Sequence, residues 1–171
     1  LIFLPCLYNL IMLNYKDTKP YIEGVALEAI DQVNQTPYYI YSQAKIIESY
    51  NNLKKTLGTK IYFAVKANSN QAILKLMKVL GAGVDVVSMG ELKRALHAGI
   101  QPANIIFEGV GKTRDDILFA IESNIHLINI ESLEELELIK KITLSLSKKI
   151  NIGIRLNPNI DGKTIDKIST G

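Results

Sequence analysis

Cysteine is nearly absent. Cys6 is the only one in 171 residues, which excludes an internal disulfide and fits a reducing cytoplasm. Histidine is scarce as well. His97 falls in a helical pattern and His126 near the start of a strand, each without a second ligand two or four residues away, so no metal site is expected. The net charge is only +3, and no basic run or basic–aromatic interleaving occurs, which argues against a nucleic-acid partner. The one markedly apolar stretch, Leu1 to Leu13, is shorter than the roughly 20 residues of a membrane span. It also lacks a positive leading segment and a small-residue cleavage site, so neither an anchor nor a secretory signal is expected. Met12 opens a polar start, and residues 1–11 read as an upstream or non-native extension. Glycine-rich nucleotide loops are missing too. Gly111-Lys112-Thr113 resembles the tail of a phosphate-binding loop, but Ile106 stands where its first glycine should be. Gly162-Lys163-Thr164 fails likewise at Asn157. Gly81-Ala82-Gly83 begins a dinucleotide fingerprint but has Val86 at its sixth position and leads into a strand.

What is present is an ordinary soluble composition, 47% hydrophobic and 22% charged, arranged as a repeat. Residues 12–36 form a lead-in, with an extended stretch from Tyr21 and helical spacing from Leu27 to Val33. From residue 37 short apolar runs alternate with helical patterns. Strands are expected at Pro37–Tyr41, Ile61–Val65, Val84–Val87, Asn104–Phe107, His126–Ile130 and Asn151–Leu156. Helices between them start at Ser42, Asn70, Ser88, about Lys112, and Ser132, with glycines at Gly58, Gly81 and Gly99 closing three of them. Ser132 and Glu135 have the spacing of a capping box. A unit recurring about every 20 to 25 residues means βα repeats and a parallel sheet. The expected fold is α/β, a partial TIM (β/α)8 barrel of about six units. A closed barrel takes about eight strands and roughly 250 residues, so residues 37–171 read as the N-terminal part of a longer protein.

Barrel chemistry collects at the C-terminal ends of the strands. The polar residues there are Lys66 and Asn68, Asp85 and Ser88, Glu108, and Arg155 with Asn157. Each has a structural explanation: Lys66 as a surface lysine ending a strand, Asp85 as a cap, Glu108 as a solvated acid, Arg155 as an ion-pair partner. The acids Glu131, Glu134, Glu135 and Glu137, and the lysines Lys140, Lys141, Lys148 and Lys149, read as solvated helix faces. A lysine at the mouth of a strand is half out of water, however, and desolvation disfavours a charged amine. A neutral amine is what a Schiff-base enzyme needs.

Several blocks resemble one family. Tyr62-Phe63-Ala64-Val65-Lys66-Ala67-Asn68-Ser69-Asn70, Gly83-Val84-Asp85-Val86-Val87-Ser88-Met89-Gly90-Glu91-Leu92, Ile128-Asn129-Ile130-Glu131-Ser132-Leu133-Glu134-Glu135-Leu136, Arg155-Leu156-Asn157-Pro158 and Ile168-Ser169-Thr170-Gly171 are similar, in order and spacing, to the diaminopimelate decarboxylases. Ala67 departs from the ornithine-type decarboxylases, which usually carry cysteine there, and Ser69-Asn70 departs from the alanine racemases. Ile165 stands where the family often has histidine, and Met89 where glycine is common.

The resemblance implies an alanine-racemase-like barrel binding pyridoxal 5′-phosphate. Lys66 would be the Schiff-base lysine, Asp85 the aspartate close to cofactor and lysine, and Arg155 the arginine beneath the ring. Asn68 would hold the turn behind Lys66, and Gly90 and Glu91 would be structural. It further implies a small-molecule substrate, meso-2,6-diaminopimelate, decarboxylated to L-lysine by a cytoplasmic homodimer. The phosphate loop, the ring-nitrogen carboxylate and the substrate-carboxylate arginine are implied beyond Gly171, so these residues alone are expected to be inactive. Two alternatives stand beside this reading: another decarboxylase or racemase of the same fold type, and a non-catalytic barrel acting as a binding protein.

Overall fold

The computed structural model describes residues 13–158. The extension at 1–11 with Cys6, the Gly162-Lys163-Thr164 tripeptide, Ile165 and the Ile168–Gly171 block lie outside the described residues. The chain divides between Thr59 and Lys60 into two compact units.

In the first unit, β1 (Leu13–Lys16), β2 (Lys19–Ile22) and β3 (Val25–Ala26) form an antiparallel sheet in that order. Two-residue loops join them, Asp17-Thr18 (φ 48° and 66°) and Glu23-Gly24 (φ 49° and 81°). Positive φ at both positions matches the right-handed twist of the flanking strands. The sequence alternates only loosely here, which is why a lead-in rather than a hairpin was expected. Helix α1 (Leu27–Asp31) stops two residues short of Val33. Helix α2 (Gln43–Leu57) falls where expected. The Ser42 side chain accepts from the Lys45 amide at 3.0 Å, and Gly58 closes the helix at φ 61°. The carboxylate of Glu23 accepts from the Ala44 amide at 3.0 Å and from the Ser42 hydroxyl.

The strand expected at Pro37–Tyr41 does not form. Aromatic residues favour strands when a half-buried pleated surface receives them, and here Tyr39 and Tyr41 are 90% and 55% exposed.

The second unit carries the βα repeat. Strands β4 (Tyr62–Ala64), β5 (Gly83–Val86), β6 (Ile105–Phe107), β7 (Leu127–Ile130) and β8 (Asn151–Ile154) pair in parallel and in chain order. Between them run α3 (Gln71–Leu80), α4 (Met89–His97), α5 (Arg114–Glu122) and α6 (Leu133–Leu146). An order that never reverses is the progression of a barrel wall; a doubly wound sheet has a switch point. No described helix is long and apolar enough to cross a membrane.

The register sorts the side chains. Val84, Val86, Ile105, Phe107, Ile128 and Ile130 join Leu74, Leu92, Ala95, Ile117, Ala120, Ile121, Ile139 and Ile142 from the helices in one buried cluster. The alternate strand positions, among them Ala64, Asp85, Ile106, Leu127, Asn129 and Gly153, line the other face. Gly83 lies between strand neighbours with no space for a side chain: a Cβ would sit 2.5 Å from the Tyr62 ring and 2.8 Å from the Asn104 carbonyl oxygen. Gly83→Ala should therefore lower stability by about 1–3 kcal/mol, read as a lower urea midpoint with an unchanged slope.

Candidate functional site

The polar residues gather where the strands end. Strand β4 passes into a 3-10 turn, Val65–Ala67, whose first residue is fully buried. Val65 thus fixes the turn and Lys66 projects from it. Lys66 is exposed rather than half out of water, so the desolvation expected from its place at a strand mouth is not found. The following loop is held at two points. Asn68 Oδ1 accepts from the Asn70 amide at 3.0 Å, the turn-holding role expected of it. Arg94, from α4, donates through Nε to the Ser69 carbonyl at 2.8 Å, while its own carbonyl accepts from the Gln71 side chain at 3.0 Å.

Asp85 lies on the neighbouring strand, paired in register with Ala64, two residues before Lys66. It is half-buried, and its Oδ1 is buried with no hydrogen-bond partner among the described residues. Burial, and after it the carboxylate of Glu108, push Asp85 up to about 6; the Lys66 charge pulls it back and Glu91 adds to the push. Glu108 follows β6 and accepts from Asn129 Nδ2 at 3.1 Å. Gly153 on β8 leaves the room that the Asn129 side chain occupies, since a Cβ there would collide with it. Arg155, just past β8, donates from a terminal guanidinium nitrogen to Glu131 Oε2 at 3.1 Å and is 46% exposed.

Three helices of this rim share one device. Ser88 caps α4 and Glu91 reaches back to the Val87 amide at 3.0 Å. Ser132 caps α6 and Glu135 reaches back to the Glu131 amide at 2.9 Å. Thr113 and Asp116 form a full capping box on α5, and Asp116 also accepts from the Met89 amide at 3.1 Å. Glu91 is thus structural, as expected.

Glu131 and Glu135 correct the expectation of a solvated acidic face. Glu135 pairs at 3.3 Å with Lys112, whose side chain is 1% exposed and which also donates to the Gly109 carbonyl at 2.7 Å. Glu131 is itself 11% exposed beside Arg155. Lys148 is corrected too, since it donates to the Glu122 carbonyl at 3.1 Å and to Asn124 Oδ1 at 3.0 Å at the end of α5. The sequence marked Lys112 only as part of a failed phosphate loop. The glycines preceding it and the repeated Ser-x-x-Glu spacing were the available signals.

Residues 43–171 match the family described as pyridoxal-dependent decarboxylase, pyridoxal binding domain. The chain belongs to this family. Among the pyridoxal-dependent decarboxylases and their structures, the diaminopimelate decarboxylase of Pseudomonas aeruginosa is 45% identical over 161 residues, 92% of this chain and 39% of the relative. The crystal structure of AQ1208 from Aquifex aeolicus superimposes with a TM-score of 0.83 at 43% identity, covering 87% of this chain and 38% of that one. The Helicobacter pylori diaminopimelate decarboxylase complexed with L-lysine gives 0.79 at 45% identity, covering 82% and 36%. The chain spans less than two-fifths of the length of each of these relatives.

An acid pushed up to about 6 holds a proton in the folded chain that the unfolded chain has released near pH 4. Its stabilising contribution is complete below the unfolded value and lost as pH rises through about 6. The stability of wild type relative to Asp85→Asn, from urea midpoints, should therefore fall steadily as pH rises from 4 to 6.5. Lys112→Met should cost about 3–5 kcal/mol by stranding the Glu135 charge, and the double change K112M/E135Q markedly less, measured in the same way.

Proposed function

We propose that this chain carries the pyridoxal-binding part of a diaminopimelate decarboxylase, converting meso-2,6-diaminopimelate to L-lysine and carbon dioxide. The observation that carries the proposal is an exposed lysine two residues past the strand partner of Asp85, a half-buried acid whose Oδ1 has no hydrogen-bond partner among the described residues. The substrate is taken from the relatives, which are diaminopimelate decarboxylases, one of them crystallised with L-lysine.

The residues present fit pyridoxal 5′-phosphate. The Lys66 amine is accessible for covalent attachment through Nζ to an aldehyde carbon. The Asp85 Oδ1 atom is an orphaned acceptor that a donor on a bound group would satisfy. Arg155, held by Glu131, presents a planar guanidinium at the end of β8. When bound, the pyridoxal ring supplies an electron sink for the bond that releases the carboxylate. Lys66 would hold the ring through Nζ and would carry protons at that atom. Arg94 and Asn68 keep the Lys66 loop in one arrangement, so the amine meets its partner without first ordering the chain. We place the protein in the cytoplasm as a homodimer, as the resemblance implies.

Borohydride reduction in the presence of pyridoxal 5′-phosphate, followed by peptide mapping, should put the adduct on the peptide containing Lys66. Lys66→Ala should abolish that adduct. Carbon dioxide release should be assayed on the chain and on the chain extended to the length of its relatives. Release from diaminopimelate should exceed that from ornithine or arginine. An adduct confined to other lysines, or a preference for ornithine or arginine, defeats the reading.

A further inference from the structure

A run of contacts leads from a buried lysine to the rim. Lys112 lies in the loop between β6 and α5, preceded by Gly109 and Gly111 with φ of 96° and 74°. Its Nζ is fixed by the Gly109 carbonyl at 2.7 Å and by both carboxylate oxygens of Glu135 at 3.3 Å. Glu135 Oε2 accepts from the Glu131 backbone amide at 2.9 Å. Glu131 Oε2 accepts from Arg155 at 3.1 Å, and the Arg155 backbone amide donates to the Ile130 carbonyl at 3.1 Å. Four residues from three consecutive βα units are thereby joined, and only Arg155 is exposed.

We propose that Lys112 is a positioning residue for Arg155, acting through Glu135 and Glu131. Without the lysine, the Glu135 carboxylate keeps only the Glu131 amide to fix its rotamer, and that amide loses a rigidly placed acceptor. The Glu131 side chain, whose Oε1 is buried with no hydrogen-bond partner among the described residues, then has alternatives to holding the guanidinium. A buried cation is a costly way to fill space, since an apolar residue of similar volume usually serves stability as well. Its retention here is explained by a fixed geometry at the end of the chain of contacts. The proposal rests on the reading of Arg155 as part of the pyridoxal site, and its test separates the two.

The test reads the Arg155 guanidinium directly, by its rate of modification with phenylglyoxal, mapped by peptide. Glu131→Gln, which removes the carboxylate partner, sets the upper reference. Lys112→Met should raise the Arg155 rate about two- to fivefold, the coupling of neighbours in one network, and should add nothing in the E131Q background. K112M/E135Q, which strands no charge, should behave like K112M and serves if the single variant does not fold by circular dichroism. An unchanged rate in either variant, or an equal increase with and without E131Q, overturns the proposal. On the same samples, pyridoxal 5′-phosphate uptake at Lys66 is followed by absorbance. Failure of wild type to take it up overturns the functional reading, whereas an unchanged Arg155 rate overturns the positioning role.

Discussion

Val84, Val86, Ile105, Phe107, Ile128 and Ile130 turn one face of the sheet into the helices, and this burial governs the rest of the second unit. Side chains alternate along a strand, so a slip of one residue would carry these apolar groups to the opposite face and bring Asp85 and Asn129 into the core. The cost of burying those polar groups without partners forbids it. The register is thus set by hydrophobic burial, and the convergence of Lys66, Asp85, Glu108, Asn129, Glu131 and Arg155 at one end follows from it. The site is the complement of the core.

The loops above the strands are held by polar contacts instead. On α4 and α6 a carboxylate three residues after the cap returns to the backbone at the strand end, so the turn from strand to helix is closed by the helix's own first residues, and on α5 Asp116 returns to its own cap residue. The same economy ties Arg94 to the loop that presents Lys66. Hydrophobic packing below and backbone-directed carboxylates above leave few ways for the rim to rearrange.

The repeat itself was legible in the sequence because it is written in short-range terms. Apolar runs of strand length, caps at Ser42, Asn70, Ser88 and Ser132, and glycines at Gly58 and Gly81 are local signals, and the elements fall within a few residues of where they place them. Pro37–Tyr41 was misread because strand propensity describes a fit to a surface that the segment does not have. Lys66, Asp85 and Arg155 could be marked as residues following or within strands, but the exposure of Lys66 could not, since it depends on the turn that Val65 anchors. Lys112, Glu131 and Glu135 were invisible for a different reason. Their burial comes from contacts between separate βα units, and a charged residue in a helix or loop reads as solvated until its distant partner is known.

The shared capping device has an electrostatic consequence for what the rim can receive. A helix N-terminus attracts anions through its free amides and the positive end of its dipole. On α4, α5 and α6 that attraction is already met by Glu91, Asp116 and Glu135, while α3 has no acid in its first turn. A phosphate arriving at these three helix starts would find backbone amides already taken by carboxylates, one of them neutralised by Lys112. On α4, α5 and α6 a side chain of the helix itself thus stands where a ligand's anionic group would otherwise dock.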